Sequence, residues 1–274
     1  MTDDPHSDFS REDFTRRGVT HEILRSGSGP AVIVIAELPG VTPRVLDFAR
    51  RVRDLGLTVV LPVLFGKVGH DPHPDSAGRL GLPAAMARAG ARICVGREFT
   101  LLATGRTSPV VPWLRELAAA EHQRCGGPGV GAVGMCFTGG FALAMATDER
   151  VLAPVLAQPS LPLGLTPWQK RSIDTSPEEL AVVAERCAAG LTVLGLRFEG
   201  DWLAPAERFA YLERVLGKGF VAIPLPRASA NPAAVMSPHS TLTEHLVDAP
   251  GAPTREALDQ VLELFRSRLL PGRD

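Results

Sequence analysis

The residues best suited to covalent chemistry are Gly131-Ala132-Val133-Gly134-Met135-Cys136-Phe137-Thr138-Gly139-Gly140. An apolar run ends at a cysteine set between glycines, and an apolar helical pattern follows. The frame is Gly-x-Cys-x-x-Gly-Gly, one step away from the Gly-x-Ser-x-Gly spacing of a nucleophile elbow. An elbow holds its nucleophile on a sharp turn from strand to helix, and small neighbours let the backbone bend there. The first amides of the following helix have no intrahelical acceptor and point at the site. That end of a helix favours a thiolate and then an oxyanion. The same ten residues also fit a buried cysteine at a strand end followed by a glycine-rich turn, so the rest of the chain has to decide.

A nucleophilic thiol needs a base, and the base needs an acid to orient it. In an elbow protein the chain order is nucleophile, acid, histidine. Of seven histidines only His239 and His245 follow Cys136, so these two are the candidate bases. His239 lies in the loop Ser237-Pro238-His239-Ser240-Thr241 and is favoured, because catalytic residues gather on loops carried by a rigid scaffold. Ser240 or Thr241 could cap a short helix, on which His245 would be a solvated surface residue. Asp201, in Glu199-Gly200-Asp201-Trp202, directly follows a predicted strand and is the preferred acid. Glu199 is its rival, an ordinary Gly-Asp turn is the competing explanation, and Asp148 and Asp174 have cap or turn roles open to them. Glu37 ends the apolar run 31–36, where a site at the carboxyl end of a sheet would lie, and it fits a solvated strand end equally well.

The elements that must position these residues read as an alternation of strand and helix. Residues 19–24, 31–36, 57–61, 130–135, 151–157, 191–198 and 220–225 are predicted strands. Helical periodicity covers 43–55, 110–122, 137–147, 177–187, 205–216 and 254–270. Strand, helix and strand at this spacing form βαβ units, so the predicted fold class is α/β, a mostly parallel central sheet with helices on both faces. Residues 1–17 are polar and expected to be loosely held, leaving 18–274 as a single domain. Residues 66–108, rich in Gly, Pro and His with a weak helical patch at 84–91, are predicted to run over one face of the sheet as an irregular excursion.

Composition excludes several classes. A formal net charge of −1 gives no electrostatic reason to expect nucleic acid or an anionic membrane as partner. The longest clean apolar run, 31–36, cannot span a bilayer, and the acidic start Met1-Thr2-Asp3-Asp4-Pro5 does not look like a secretion signal, so a cytoplasmic location is expected. Cys94, Cys125, Cys136 and Cys187 show no CxxC spacing, and free thiols are expected. His70 and His73 lack a third ligand at useful spacing, so no metal site is expected.

The segments Ile35-Ala36-Glu37-Leu38-Pro39-Gly40, Gly134-Met135-Cys136-Phe137-Thr138-Gly139-Gly140 and Glu199-Gly200-Asp201-Trp202-Leu203-Ala204-Pro205, with His239, resemble the dienelactone hydrolase family of α/β-hydrolases. The resemblance runs from about residue 19 to 270, and the cysteine elbow with its double glycine is its most specific part. It implies an α/β-hydrolase fold and a triad of Cys136, Asp201 and His239. It implies that Glu37 interacts with the cysteine and helps to control its thiolate, and that the backbone N–H groups of Leu38 and Phe137 form an oxyanion hole. It further implies hydrolysis of a small-molecule lactone or ester through an acyl-enzyme, with no cofactor or metal. The family's substrate-binding arginines have no evident counterpart here. The alternative is a non-catalytic protein of the same fold that binds a small ligand or a partner. A thiol-dependent redox or thioesterase role would keep the cysteine and change the substrate.

Overall fold

A computed structural model of the chain describes residues 3–72, Phe99 and residues 102–270. The described strands form one eight-stranded sheet: β1 (Ser10–Arg16), β2 (Val19–Gly27), β3 (Ala31–Ile35), β4 (Thr58–Pro62), β5 (Val130–Met135), β6 (Val151–Ala157), β7 (Val193–Phe198) and β8 (Phe220–Leu225). Their spatial order is β1-β2-β4-β3-β5-β6-β7-β8. The pairs β1–β2 and β2–β4 are antiparallel, and every later pair is parallel. The connecting helices are α1 (Pro43–Arg53), α2 (Val111–Cys125), α3 (Gly139–Met145), α4 (Pro167–Lys170), α5 (Pro177–Ala188), α6 (Ala206–Leu216) and α7 (Pro253–Leu269). Several begin where the sequence offers a proline in the first turn, a position whose N–H would lack an intrahelical partner in any case.

Alternation along the parallel strands divides the core between two faces. Ile33, Ile35 and Ala132 pack with Trp113, Leu117 and Phe141, from α2 and α3. Val32, Val34, Val133 and Met135 point the other way, onto Val45 and Phe48 of α1 and Val261 and Phe265 of α7. Strands buried on both faces read as unbroken apolar runs, which is why β3 and β5 stand out in the sequence. Phe99 packs edge-on against Phe137, with ring centroids 5.4 Å apart, and lies 5.2 Å from Phe65, so the excursion after residue 66 touches the core near the elbow. Its predicted helical patch at 84–91, together with His73 and Cys94, lies outside the described residues.

The N-terminal segment departs from expectation. Residues 10–16 are not loosely held but form the edge strand β1, whose one buried side chain is Phe14. Arg25 of β2, itself buried, donates to Glu12 of β1 and to Glu121 of α2, so one guanidinium ties the edge strand to the helix behind it. Further upstream, Asp4 and Asp8 both accept from Arg50 of α1. At the opposite edge β8 carries Pro224, one residue before its end.

The register brings the chemistry together. Ile35 of β3 lies beside Gly134 of β5, Met135 beside Ala157 of β6, Ala157 beside Leu196 of β7, and Phe198 beside Leu225 of β8. The residues that leave these strands, Glu37, Cys136, Gln158, Asp201 and the loop bearing His239, therefore emerge at one end of the sheet.

Candidate active site

Cys136 adopts a positive φ of 53°, between an extended Met135 and a 3-10 turn that runs into α3. A cysteine in the left-handed region is uncommon, and it persists only where the surroundings force it. Two glycines allow the close approaches. A Cβ on Gly134 would lie 2.1 Å from the Thr138 carbonyl oxygen, and one on Gly139 would lie 2.5 Å from the Pro159 Cα. These contacts explain the Gly-x-Cys-x-x-Gly frame, because the turn doubles back on itself and then passes against the loop after β6. Thr138 fixes the turn: its hydroxyl accepts from the Met135 N–H at 2.9 Å and lies 2.9 Å from the Ile35 carbonyl oxygen, to which it can donate.

His239 and Asp201 meet as a buried pair. The His239 Nδ1–H donates to Asp201 Oδ2 at 2.7 Å, and Asp201 Oδ1 accepts from the Leu203 N–H at 3.0 Å. This arrangement leaves His239 Nε2 on the cysteine side of the ring. Burial pulls the imidazole pKa down, but the charge on Cys136 and the hydrogen bonds to Asp201 and Cys136 outweigh it, and the pKa stands well above the ordinary histidine value. Ser160 completes the cluster: its hydroxyl is 3.5 Å from Cys136 Sγ and 3.5 Å from His239 Nε2, and its N–H donates to the Cys136 carbonyl at 2.9 Å.

A raised histidine pKa has a defined effect on stability. A group whose folded pKa exceeds its unfolded value, about 6.5 for histidine, stabilises fully below that value and loses its contribution as pH rises through the folded pKa. The melting temperature of wild type should thus exceed that of His239→Gln by the largest margin near pH 6, with the gap closing under alkaline conditions. A gap that widens with rising pH would contradict the assignment.

Glu37 is buried, but its carboxylate is engaged elsewhere than expected. It accepts from Ser240 Oγ at 2.7 Å, from Gln158 Nε2 at 3.2 Å and from the Thr243 hydroxyl; Cys136 is not among its hydrogen-bond partners. Gln158, with φ 38° at the end of β6, also accepts from the Thr241 N–H and hydroxyl at 3.1 and 2.7 Å. Glu37 and Gln158 together clamp the loop that carries His239. Leu38 lines the same cleft as Cys136, and Phe137 follows the cysteine into the 3-10 turn.

His245 is not the solvated helical residue that the sequence suggested. Residues 241–245 form turns, and His245 is buried. Its Nδ1 accepts from the Ser240 N–H at 3.1 Å, and its Nε2–H donates to the Met236 carbonyl at 3.0 Å. Burial lowers its pKa, in keeping with a neutral ring that accepts at one nitrogen and donates at the other. His245→Ala leaves the buried Ser240 N–H and the partly buried Met236 carbonyl unpaired. It is expected to cost about 2–3 kcal/mol of stability and to lower turnover, because the His239 N–H, 3.5 Å from His245 Nδ1, loses its acceptor too. His245→Asn keeps an acceptor for Ser240, and thermal melts with parallel rate measurements should show partial recovery.

Gln158, Ser160 and Arg208 were not singled out in the sequence, although the first two directly follow a predicted strand, the signal that located Glu37 and Asp201. Arg208 of α6 is fully buried behind the site and donates to the carbonyls of Pro159, Pro162, Gln169 and Ser172. Burial pushes its guanidinium down to about 10 despite Asp174 and Asp201 nearby. His70 bonds to Asp3 at 3.2 Å, and no cluster that could hold a metal ion occurs among the described residues. No described helix is long and apolar enough to cross a membrane.

The cysteine, His239, Ser240 and Glu37 open onto a cleft of about 790 Å³, including its open mouth. The model of the dienelactone hydrolase family matches residues 20–184, more than half of the chain. No curated protein matches the sequence. Among solved structures, a dienelactone hydrolase from Anabaena variabilis aligns with a TM-score of 0.52 at 16% identity, covering 96% of this chain and 99% of its own. A dienelactone hydrolase-like promiscuous phosphotriesterase from metagenomic libraries gives 0.56 at 16% identity, covering 95% and 98%. The thioesterase domain of the curacin biosynthetic pathway gives 0.54 at 9%, covering 93% and 99%. At these identities the structures speak for the fold, which is that of the α/β-hydrolases.

Proposed function

Since the chain belongs to the dienelactone hydrolase family, we propose that it hydrolyses a carboxylic ester or lactone through an acyl-enzyme on Cys136. The observation that carries this reading is the convergence of a strained, partly exposed cysteine with a buried His239–Asp201 pair at the mouth of one cleft. The family supports ester hydrolysis; the nucleophile and the triad are our assignment.

In this mechanism the Cys136 thiolate adds to the carbonyl carbon, and the carbonyl oxygen takes up the negative charge. The backbone N–H groups of Leu38 and Phe137 receive that oxyanion, each contributing about 3 kcal/mol as judged from comparable donors. Collapse expels the alkoxide, which takes the proton from His239 Nε2 and leaves a thioester on Cys136. The now neutral imidazole draws a proton from water, hydroxide adds to the thioester, and the acid departs as the thiolate re-forms. Asp201 holds the ring in the tautomer that presents Nε2 and stabilises its charged form. Glu37 takes a different part from the one the family resemblance implied. Its bonds to Ser240, Thr243 and Gln158 support a role in holding the histidine loop. In the same reading the single domain expected at 18–274 also takes in Ser10–Arg16 as its edge strand.

Mixing with p-nitrophenyl acetate and quenching in acid tests the reading. A burst of about one equivalent of nitrophenol should accompany a single acetyl group on the peptide that contains Cys136. An acetyl group on Ser160 or another residue, with Cys136 unmodified, would rule out the assignment.

A further inference from the structure

The walls of the cleft carry a preference for substrate charge, which rests on the ester-hydrolase reading above. Leu38, Pro39, Pro72, Leu203, Val235 and Met236 give it an apolar lining. Val235 and Met236 are unusually open for large apolar side chains, at 59% and 48% exposed. Covering such surface is favourable in proportion to its area, and an apolar patch beside a reactive group is a natural seat for an apolar ligand.

His239, with its raised pKa, is a cation of the lining and is paired with Asp201, and the remaining charged groups there have one sign. Besides the two histidines, the titratable side chains that line the cleft among the described residues are Glu37 and Glu244, and no lysine or arginine joins them there. Glu37 is buried and held by neutral donors alone, so its charge is not cancelled by a contacting cation. The nearby Arg44 lies 3.9 Å from Glu244 and faces that carboxylate. A second negative charge on a bound substrate would therefore meet like charge in a partly desolvated space, where repulsion is larger than in water.

We propose that the cleft selects uncharged esters with an apolar acyl chain, seated against Val235 and Met236, and rejects esters whose acyl chain ends in a carboxylate. The reaction is the one already described, and the inference concerns which acyl groups reach it.

Two esters of equal chain length isolate the charge: p-nitrophenyl hexanoate and the p-nitrophenyl monoester of adipic acid, which differ only in a terminal methyl or carboxylate. At low salt kcat/KM should favour the hexanoate by about thirtyfold, the size of one like-charge encounter at roughly 8 Å in a protein-like dielectric. Added salt should narrow the ratio. Met236→Lys should lower it about tenfold by improving the adipate. Met236→Gln, which removes the apolar contact without adding charge, should raise KM for the hexanoate and leave the adipate nearly unmoved.

A ratio near one, or a preference for the adipate, with turnover that depends on Cys136, would overturn the proposal while leaving the hydrolase assignment standing. Undiminished turnover of both esters in Cys136→Ala would instead overturn the acyl-enzyme on Cys136, on which the selectivity argument rests.

Discussion

Cys136→Ala should lower kcat/KM for a good ester substrate by about 10⁴-fold or more, the scale seen when the nucleophile of a triad is removed. The expectation follows from how little else in the cleft can attack a carbonyl. Ser160 is the nearest hydroxyl, 3.5 Å from His239 Nε2, but it is committed through its side chain to the Gln158 carbonyl at 3.2 Å and through its N–H to the Cys136 carbonyl. Alanine fits the space of cysteine and leaves the Thr138 bonds that shape the turn untouched. A melt of the variant should stay close to wild type, so lost activity would report on chemistry and not on folding. Titration of the wild type with iodoacetamide supplies the complement: loss of activity should track alkylation of a single thiol. Undiminished ester turnover in Cys136→Ala would remove the cysteine from the mechanism.

The largest effect on stability is expected at Arg208. Its guanidinium is wholly buried and serves carbonyls of Pro159, Pro162, Gln169 and Ser172, all in the stretch that connects β6 to α5. Arg208→Met would fill most of the volume but leave the Pro159, Pro162 and Ser172 carbonyls without this donor, while relieving the cost of a desolvated charge; the Gln169 carbonyl keeps the Ser172 N–H. Each buried unpaired group costs about 1–3 kcal/mol, so a net loss of about 3–5 kcal/mol is expected after that relief. For a chain of this size that is a fall in Tm of roughly 6–15 °C. Arg208→Lys should recover little, because one ammonium cannot reach carbonyls on several sides as the planar fork does. Activity should decline below the melting transition as well, since the same stretch begins with Gln158 and Ser160, which touch the histidine loop and the nucleophile. A melt within about 2 °C of wild type would mean that these bonds are worth far less than their burial implies.

The contrast between Cys136 and Arg208 shows what the sequence discloses and what it withholds. The strand before Cys136 is buried on both faces and reads as an apolar run ending at a glycine-flanked turn, so local composition marks both the element and the residue leaving it. Asp201 and Glu37 follow the same rule, each sitting just past such a run. Strand β1 was missed because its residues are polar on both faces and a single phenylalanine is buried; an edge strand needs ladder bonds more than apolar contacts. His245 was misread because its burial comes from a loop that folds back through turns, with no period to betray it. Arg208 occupies a helix whose apolar positions, Phe209, Leu212 and Leu216, give the expected stripe, and nothing local distinguishes a buried arginine from a solvated one. The bond partners of Glu37 lie about 120 and 200 residues away in the chain, so its position was legible and its contacts were not.

The two open borders of the sheet have a consequence for how copies of the chain behave toward one another. A bare strand edge is a template on which another chain can add by backbone pairing, the usual route to aggregation. Here a strand approaching β1 would meet the charged side chains of Arg11, Glu12 and Asp13, and one approaching β8 would find Pro224, which has no N–H to give. Both ends of the sheet thus disfavour lateral growth, one by charge and the other by a missing donor.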